Sequence, residues 1–461
     1  MTIELLIDDG IGELRTALLF AGEVREIRLY RPQRPALEAV YLARLTDRLP
    51  GHDGAFVNLG DDGDAFVPRA REKGRTGGEA AATGAIFPVQ IRSLPREGDK
   101  LARASRVIRL RGRYLDLIRP GAGLDDGGPD IGAPRRQKLT DALASGLAQH
   151  RLVLRPAAAA AGDEAIIAEA SRLQGQIRAL AAAGGGPRLV LPPPDALARA
   201  IRDAPPSLAR IRIAQRHLVP ALEPLARVWP DVAGKAVLWR EKTPLFEALG
   251  VEPILAALIA GCIRLPSGGR LWLDDTHAGT MIDIDTGAAG PTAKTAQRQA
   301  NEEAAVAVAR LLRLADIGGL VVVDFIDPGG ARARARLLDR LDQALADDPA
   351  PVRRSGLSGD GILSLTRRRE GPGLRDLLLA PRQNRLSCES RALALLREAA
   401  ALAGRETQPG CLVLTATRDV IAWIRTAGHD TALATRTGRA VRLDAAPAPA
   451  DIGESARIDP E

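Results

Sequence analysis

The residues best placed to do chemistry are aspartates at the ends of apolar runs. In Met281-Ile282-Asp283-Ile284-Asp285 strict alternation puts Asp283 and Asp285 on one face of a strand while Ile282 and Ile284 face a core. A second apolar run, Val321-Val322-Val323, ends in Asp324, with Asp327 just before the turn Pro328-Gly329-Gly330. Acids at strand ends of an α/β sheet lie where loops build sites. Clustered carboxylates repel unless a cation shares the space, and Mg2+ is held by one or two carboxylates with waters and substrate phosphates. The pattern points to metal-assisted phosphoryl chemistry. A lone strand-end Asp more often serves a turn, and that is the better reading of Asp327. Asp283 and Asp324 act together only if their strands are neighbours, which spacing alone does not decide.

Other candidates are weighed the same way. Phe56 and Phe66 sit among β-forming neighbours and are either core residues or platforms on which bases stack. Between Lys100 and Arg119 stand Arg103, Arg106, Arg109, Arg111 and Arg113 with one acid, Asp116; Arg332, Arg334, Arg336 and Arg340 form another basic run. Such runs are usually solvated faces, but beside a barrel they could track a phosphate backbone. His277 has no second His nearby and reads as a turn residue rather than a metal ligand.

The elements that must position these groups follow from punctuation and periodicity. Breaker-rich loops are expected around 73–83, 120–134 and 184–194, with a softer one around 370–384. Short strands at 23–30, 39–45, 54–60 and 64–68 suggest a small β-barrel. Helices are expected over 163–183, 195–202, 253–260 and 301–314. From 267 to 369 the order is strand, hairpin, helix, buried strand, helix, strand, an α/β layer.

Composition bounds the whole. The chain has 461 residues, 46% hydrophobic and 26% charged, enough for about three domains with ordinary cores. A net charge of +7 suits a polyanionic partner, while an aromatic content of only 3% confines any base stacking to a few positions. Cys262, Cys388 and Cys411 are scattered and odd in number, which excludes a disulfide framework and fits a reducing cytoplasm. Acids near the N-terminus argue against an export signal. The longest apolar stretch, 254–263, is about half of the ~20 residues a membrane span needs.

These residues together resemble the ribonuclease E/G family. The resemblance is densest in Leu265-Pro266-Ser267-Gly268-Gly269, Met281-Ile282-Asp283-Ile284-Asp285-Thr286-Gly287, Asn301-Glu302-Glu303-Ala304-Ala305, 309–319 and Val323-Asp324-Phe325-Ile326-Asp327. It extends through Tyr41, 54–57, 64–68, 152–155 and 366–369, and weakens after Glu370. It implies an α/β multidomain chain: an RNase H-like domain in two parts (1–35 and 187–260), an OB-fold RNA-binding barrel inserted in it (36–110), a 5′-sensor region (111–186), a DNase I-like α/β catalytic domain (261–380) and a small C-terminal α/β domain (385–461).

It also implies a Mg2+-dependent endoribonuclease, with Mn2+ as an alternative ion, that cuts single-stranded RNA in RNA processing or decay. Asp283 and Asp324 would bind the metal, and Asp285 would join them in catalysis. Phe56, Phe66, Lys100 and Arg155 would contact RNA, Arg155 at a 5′-monophosphate. This chain has Asp285 where the family usually has Asn and Pro156 where it has Thr, and Cys388 stands without the second cysteine of a zinc link. Any homo-oligomer is therefore expected to form without zinc bridging. The altered positions keep a rival reading open: an RNA-binding protein of the same fold with weakened or lost catalysis. A metal phosphodiesterase acting on a small molecule is less favoured, because it leaves a strand-binding barrel unexplained.

Overall fold

The computed structural model describes residues 2–47, 54–68, 82–94, 101–125, 127–128, 131–287, 293–369, 371–406, 408–446 and 454–459. The chain divides into two compact units, one of residues 1–5 and 32–239, the other of 6–31 and 240–461.

In the first unit, strands Val40–Asp47, Gly54–Asn58, Asp64–Pro68, Ala102–Ser105 and Ile86–Ser93 form a closed barrel, because the last pairs back onto the first. Alternate residues fill it: Tyr41, Ala43, Leu45, Val57, Ala65, Val67, Val89, Ile91, Ala102 and Ala104 are buried. The many alanines suit so narrow an interior. The sequence-expected strand 23–30 is real but lies outside the barrel: Glu23–Tyr30 pairs with Leu14–Phe20 in the other unit. The barrel instead gains Ile86–Ser93 and Ala102–Ser105, whose polar alternation gave a weak strand signal.

Beside the barrel, Ile108–Arg111, Leu115–Arg119, Arg151–Leu154 and Gly123–Asp125 make a four-stranded sheet, against which helix Asp163–Ala182 packs. One buried carboxylate organises this region. Glu169 accepts hydrogen bonds from the backbone N–H of Arg113, Tyr114 and Leu115 at 2.9, 2.7 and 3.0 Å and from Trp229 Nε1 at 2.8 Å. Arg113 is itself buried and paired with Asp231 at 2.6 Å. Helix Ala196–Asp203 starts where the Asp195 carboxylate accepts from the Ala198 N–H at 2.7 Å, an N-cap. Two segments expected as loops carry short strands, Gly123–Asp125 and Arg188–Leu191, each recruited by an existing sheet edge rather than by its own propensity.

The second unit is built on a six-stranded sheet in the order Cys262–Arg264, Arg270–Asp275, Gly279–Asp285, Gly319–Asp324, Ile362–Arg367, Val352–Arg354. Only Gly279–Asp285 and Gly319–Asp324 run parallel, joined through helix Ala293–Leu314. Leu271, Leu273, Ile282, Ile284, Val321, Val323, Leu363 and Leu365 face the core, with Ala300, Ala304, Val308 and Leu312 of that helix also buried. A smaller three-stranded sheet, with Cys411–Thr417 between Val441–Ala446 and Ser455–Asp459, packs with helices Cys388–Arg405, Arg418–Thr426 and His429–Thr437. Ile11 is part of its core. Glu13, buried, receives Arg31 and Arg397, each at 2.7 Å. No helix among the described residues is long and apolar enough to cross a membrane.

Candidate metal centre and nucleic-acid interface

The two strands that end in candidate acids are neighbours. In their parallel ladder Asp283 is the register partner of Asp324, and Trp272 on the other side is the partner of Asp283. Alternation buries Ile282, Ile284 and Val323 and turns Asp283, Asp285 and Asp324 to the opposite, exposed face. Neighbouring strands lie about 4.8 Å apart, so the Asp283 and Asp324 carboxylates project side by side. Among the described residues no hydrogen-bond donor or cation engages either of them. Two like charges so close favour a shared cation, and two carboxylates with remaining positions left to water and phosphate are a donor set that suits Mg2+.

Asp285 shares the exposed face of Asp283 but lies beyond the register pair. It lies one step along the strand, about 6.7 Å further at the usual rise, and its Oδ1 accepts from the Gly287 N–H at 3.0 Å. That is an Asx-type turn, which an Asn side chain could also make. Among the described residues no three His, Cys, Asp or Glu side chains are grouped to hold one metal ion. Asp327 serves a turn, accepting from the Gly329 N–H at 2.9 Å, and His277 lies in the hairpin turn between Arg270–Asp275 and Gly279–Asp285.

Second-line residues fix the acid-bearing strand ends. Asn301 donates Nδ2 to the Ile326 carbonyl at 2.6 Å and accepts from the Ile326 N–H at 3.1 Å, which locks the segment leaving Asp324 onto the helix. Glu303 accepts from the Ser267 N–H at 2.9 Å and from Gln299 at 3.0 Å, holding the hairpin loop in place. Partial burial works to raise the Glu303 carboxyl, but the bonds from Ser267 and Gln299 outweigh it and hold it below its ordinary value. Gly361, at φ 92°, brings its backbone against the Phe325 carbonyl, where a Cβ would stand 2.2 Å from that oxygen. Sequence reasoning assigned no role to Asn301, yet a signal was there: it falls on the apolar stripe of its helix with Ala304, Ala305, Val308 and Leu312, and a polar residue on such a stripe needs a buried partner.

In the barrel unit, Phe56 and Phe66 are cross-strand partners with ring centroids 5.6 Å apart and planes tilted by 60°. Both are half-buried, on the face opposite the filled interior. They therefore lie on the outer surface of the barrel rather than in its interior core. Gly54 makes room for them: a Cβ there would stand 2.2 Å from the Phe66 ring. Arg103, exposed, is the register neighbour of Phe66 and adds a positive charge beside the rings. Lys100 lies outside the described residues.

Most of the remaining basic run is structural. Arg109 pairs with Asp116, Arg111 with Glu38, and Arg113 with Asp231, while Arg106 lies 4.7 Å over the Phe87 ring. Arg155 also has partners: Asp203 at 2.9 Å and the Gly112 carbonyl. Burial alone would raise the Asp203 carboxyl, but Arg202, Arg155 and Arg111 around it hold it far below the carboxylate range. A phosphate reaching Arg155 has to compete with that carboxylate.

Comparison with known proteins accords with this geometry. The model of the Ribonuclease E/G family matches residues 131–370, a span that contains Arg155, Asp283, Asp285 and Asp324. Ribonuclease G of Escherichia coli (strain K12) is 31% identical over 402 residues, covering 82% of this chain and 82% of its own length. Ribonuclease E of Haemophilus influenzae is 29% identical over 387 residues, 78% of this chain but 41% of that protein, and Ribonuclease E of E. coli (strain K12) is 30% identical over 394 residues, 78% and 36%. The order of acid-bearing strands, the barrel and these matches agree: the chain belongs to the ribonuclease E/G family.

Proposed function

We propose that this endoribonuclease cuts single-stranded RNA in RNA processing or decay, using a divalent cation held by Asp283 and Asp324. The observation that carries the reading is the register pairing of two unengaged carboxylates on an open sheet face, in a chain of this family. Mg2+ is the first candidate and Mn2+ the second, since the donors are all oxygen. When bound, the ion supplies Lewis acidity toward the phosphate and lowers the pKa of a water. The chain's own part is positional. Asp283 and Asp324 hold their carboxylates on a rigid sheet, Asp285 closes the strand end through Gly287, and Asn301 holds the segment beyond Asp324. Phe56 and Phe66 stack bases, with Arg103 near the backbone; Lys100, outside the described residues, is carried as an RNA contact by the family resemblance alone. Arg155 meets a 5′-phosphate in competition with Asp203.

In domain terms the barrel is read as an OB-fold inserted in an RNase H-like domain. A 5′-sensor region, a DNase I-like catalytic domain and a small C-terminal domain complete the chain. The test is direct. Purified protein should shorten an unstructured 5′-monophosphorylated oligoribonucleotide in Mg2+ or Mn2+ but not in EDTA, leaving 5′-phosphate and 3′-hydroxyl ends. Tight binding with no metal-dependent cutting would instead favour an RNA-binding protein of the same fold.

A further inference from the structure

We propose that the sheet face beside Asp283 and Asp324 is a nucleotide subsite in which Trp272 stacks a base next to the cut and Arg264 with Arg270 holds an adjoining phosphate. The proposal rests on the functional reading above and adds to it how the substrate is seated. Trp272, Asp283 and Asp324 form one row across three strands, so the indole stands one strand away from the acid pair. It is 38% exposed, and among the described residues no ring, cation or hydrogen bond engages it. The other tryptophans all have partners: Trp229 bonds to Glu169, Trp239 lies under Arg212, and Trp423 packs on His429. Met281 and Leu320, 41% and 40% exposed, extend the apolar surface on the same face.

One register step from Trp272, Arg270 is the partner of Arg264 on the edge strand, and both are exposed. Like charges directly opposite each other destabilise a sheet unless an anion joins them. Asp285 faces Arg270 from the other side, but its carboxylate turns to the Gly287 N–H and no ion pair forms with Arg270. The face thus offers an aromatic plane flanked by a cation pair on one row and the carboxylate pair on its own row. Charge of both signs within an apolar patch is a poor core for a protein interface, from which charged residues are depleted. It matches a nucleotide, whose base is flat and apolar and whose phosphates need both arginines and a metal.

The experiment compares wild type, Trp272→Ala, Trp272→Phe and the double variant Arg264→Gln/Arg270→Gln on oligoribonucleotides in which a single abasic nucleotide is moved past the cleavage position. Melting temperatures serve as a check on folding. Trp272→Ala should lower kcat/KM about tenfold, Trp272→Phe should recover most of it, and one abasic position should produce a loss that is not additive with Trp272→Ala. The arginine variant should flatten the salt dependence of binding. An unchanged abasic profile in a folded Trp272→Ala variant overturns the proposal. So does a result in which the variant merely converts a dimer to a monomer without base-position dependence, which would make the face an interface between two copies. Binding in EDTA separates the two readings: oligonucleotide should quench tryptophan fluorescence less in Trp272→Phe than in wild type whether or not cutting occurs. Equal quenching sinks the subsite, whereas absence of any metal-dependent cut sinks only the functional reading.

Discussion

At the scale of single residues, the roles divide by what each side chain already touches. Asp283 and Asp324 have no partner among the described residues and are available to a cation, whereas one oxygen of Asp285 accepts from the Gly287 N–H. Asp285→Asn keeps an acceptor at that position and should leave kcat/KM within about threefold, because a single neutral hydrogen bond is worth only about 1 kcal/mol. Asp285→Ala should lower both the melting temperature and the rate. Steady-state cleavage with parallel thermal melts checks both. Phe56 and Phe66 are half-buried on the outer face of the barrel and pack on each other, so Phe56→Ala or Phe66→Ala should each weaken oligonucleotide binding by roughly tenfold with only a small change in melting temperature. Fluorescence anisotropy of a labelled strand measures this. A large loss of stability with unchanged binding would instead mark the rings as supports of the barrel.

Among elements, the strand-end acids depend on the helix Ala293–Leu314 and the segment it anchors. Asn301→Ala leaves the partly buried Ile326 N–H and carbonyl without their partner, at a cost of up to about 1–3 kcal/mol for each group. The expected result is a melting temperature lower by several degrees and a reduced kcat, with oligonucleotide affinity in EDTA unchanged. Much of this layer was legible in the sequence. Alternation in Met281-Ile282-Asp283-Ile284-Asp285 gave the correct face for each residue, and the expected order of strand, hairpin, helix, buried strand, helix and strand from 267 to 369 is observed except that two strands, Val352–Arg354 and Ile362–Arg367, follow the second helix where one was expected. What alternation could not supply was adjacency, because a crossover helix separates the two strands and only the ladder pairs Asp283 with Asp324. The barrel was legible only in part. Its strands Ile86–Ser93 and Ala102–Ser105 carry arginines and a proline, and they owe their conformation to closure of the barrel rather than to local pattern. The arginine run from 103 to 113 is less available than its density suggests, since Asp116 of the adjoining strand takes up Arg109 and acids from distant segments, Glu38 and Asp231, take up Arg111 and Arg113.

Over the whole molecule, buried and partly buried carboxylates bonded to arginine or to backbone N–H groups set the acid limit of stability. Burial works to raise Asp231 and Glu303, yet the bonds from Arg113 and Tyr114 to the former and from Ser267 and Gln299 to the latter hold both below their ordinary values. Groups that ionise more readily folded than unfolded contribute fully above the unfolded pKa, near 4, and lose that contribution as the pH falls through the folded value. Burial also holds the His150 and His429 imidazoles below their ordinary value, so the unfolded chain takes up their protons first as the pH falls. The melting temperature should therefore decline modestly from about pH 7 to 5 and more steeply below about pH 4; a melt that instead rises toward acid would contradict these signs. Pairing of Asp283 and Asp324 around a cation is tested by cleavage of a single-stranded oligoribonucleotide by Asp324→Asn across a Mg2+ titration, with binding measured in parallel. The expected rate is at least about a thousandfold below wild type at every Mg2+ concentration, of the size that loss of a metal's charge stabilisation brings, with oligonucleotide affinity unchanged. A folded Asp324→Asn protein that cuts at the wild-type rate would contradict it.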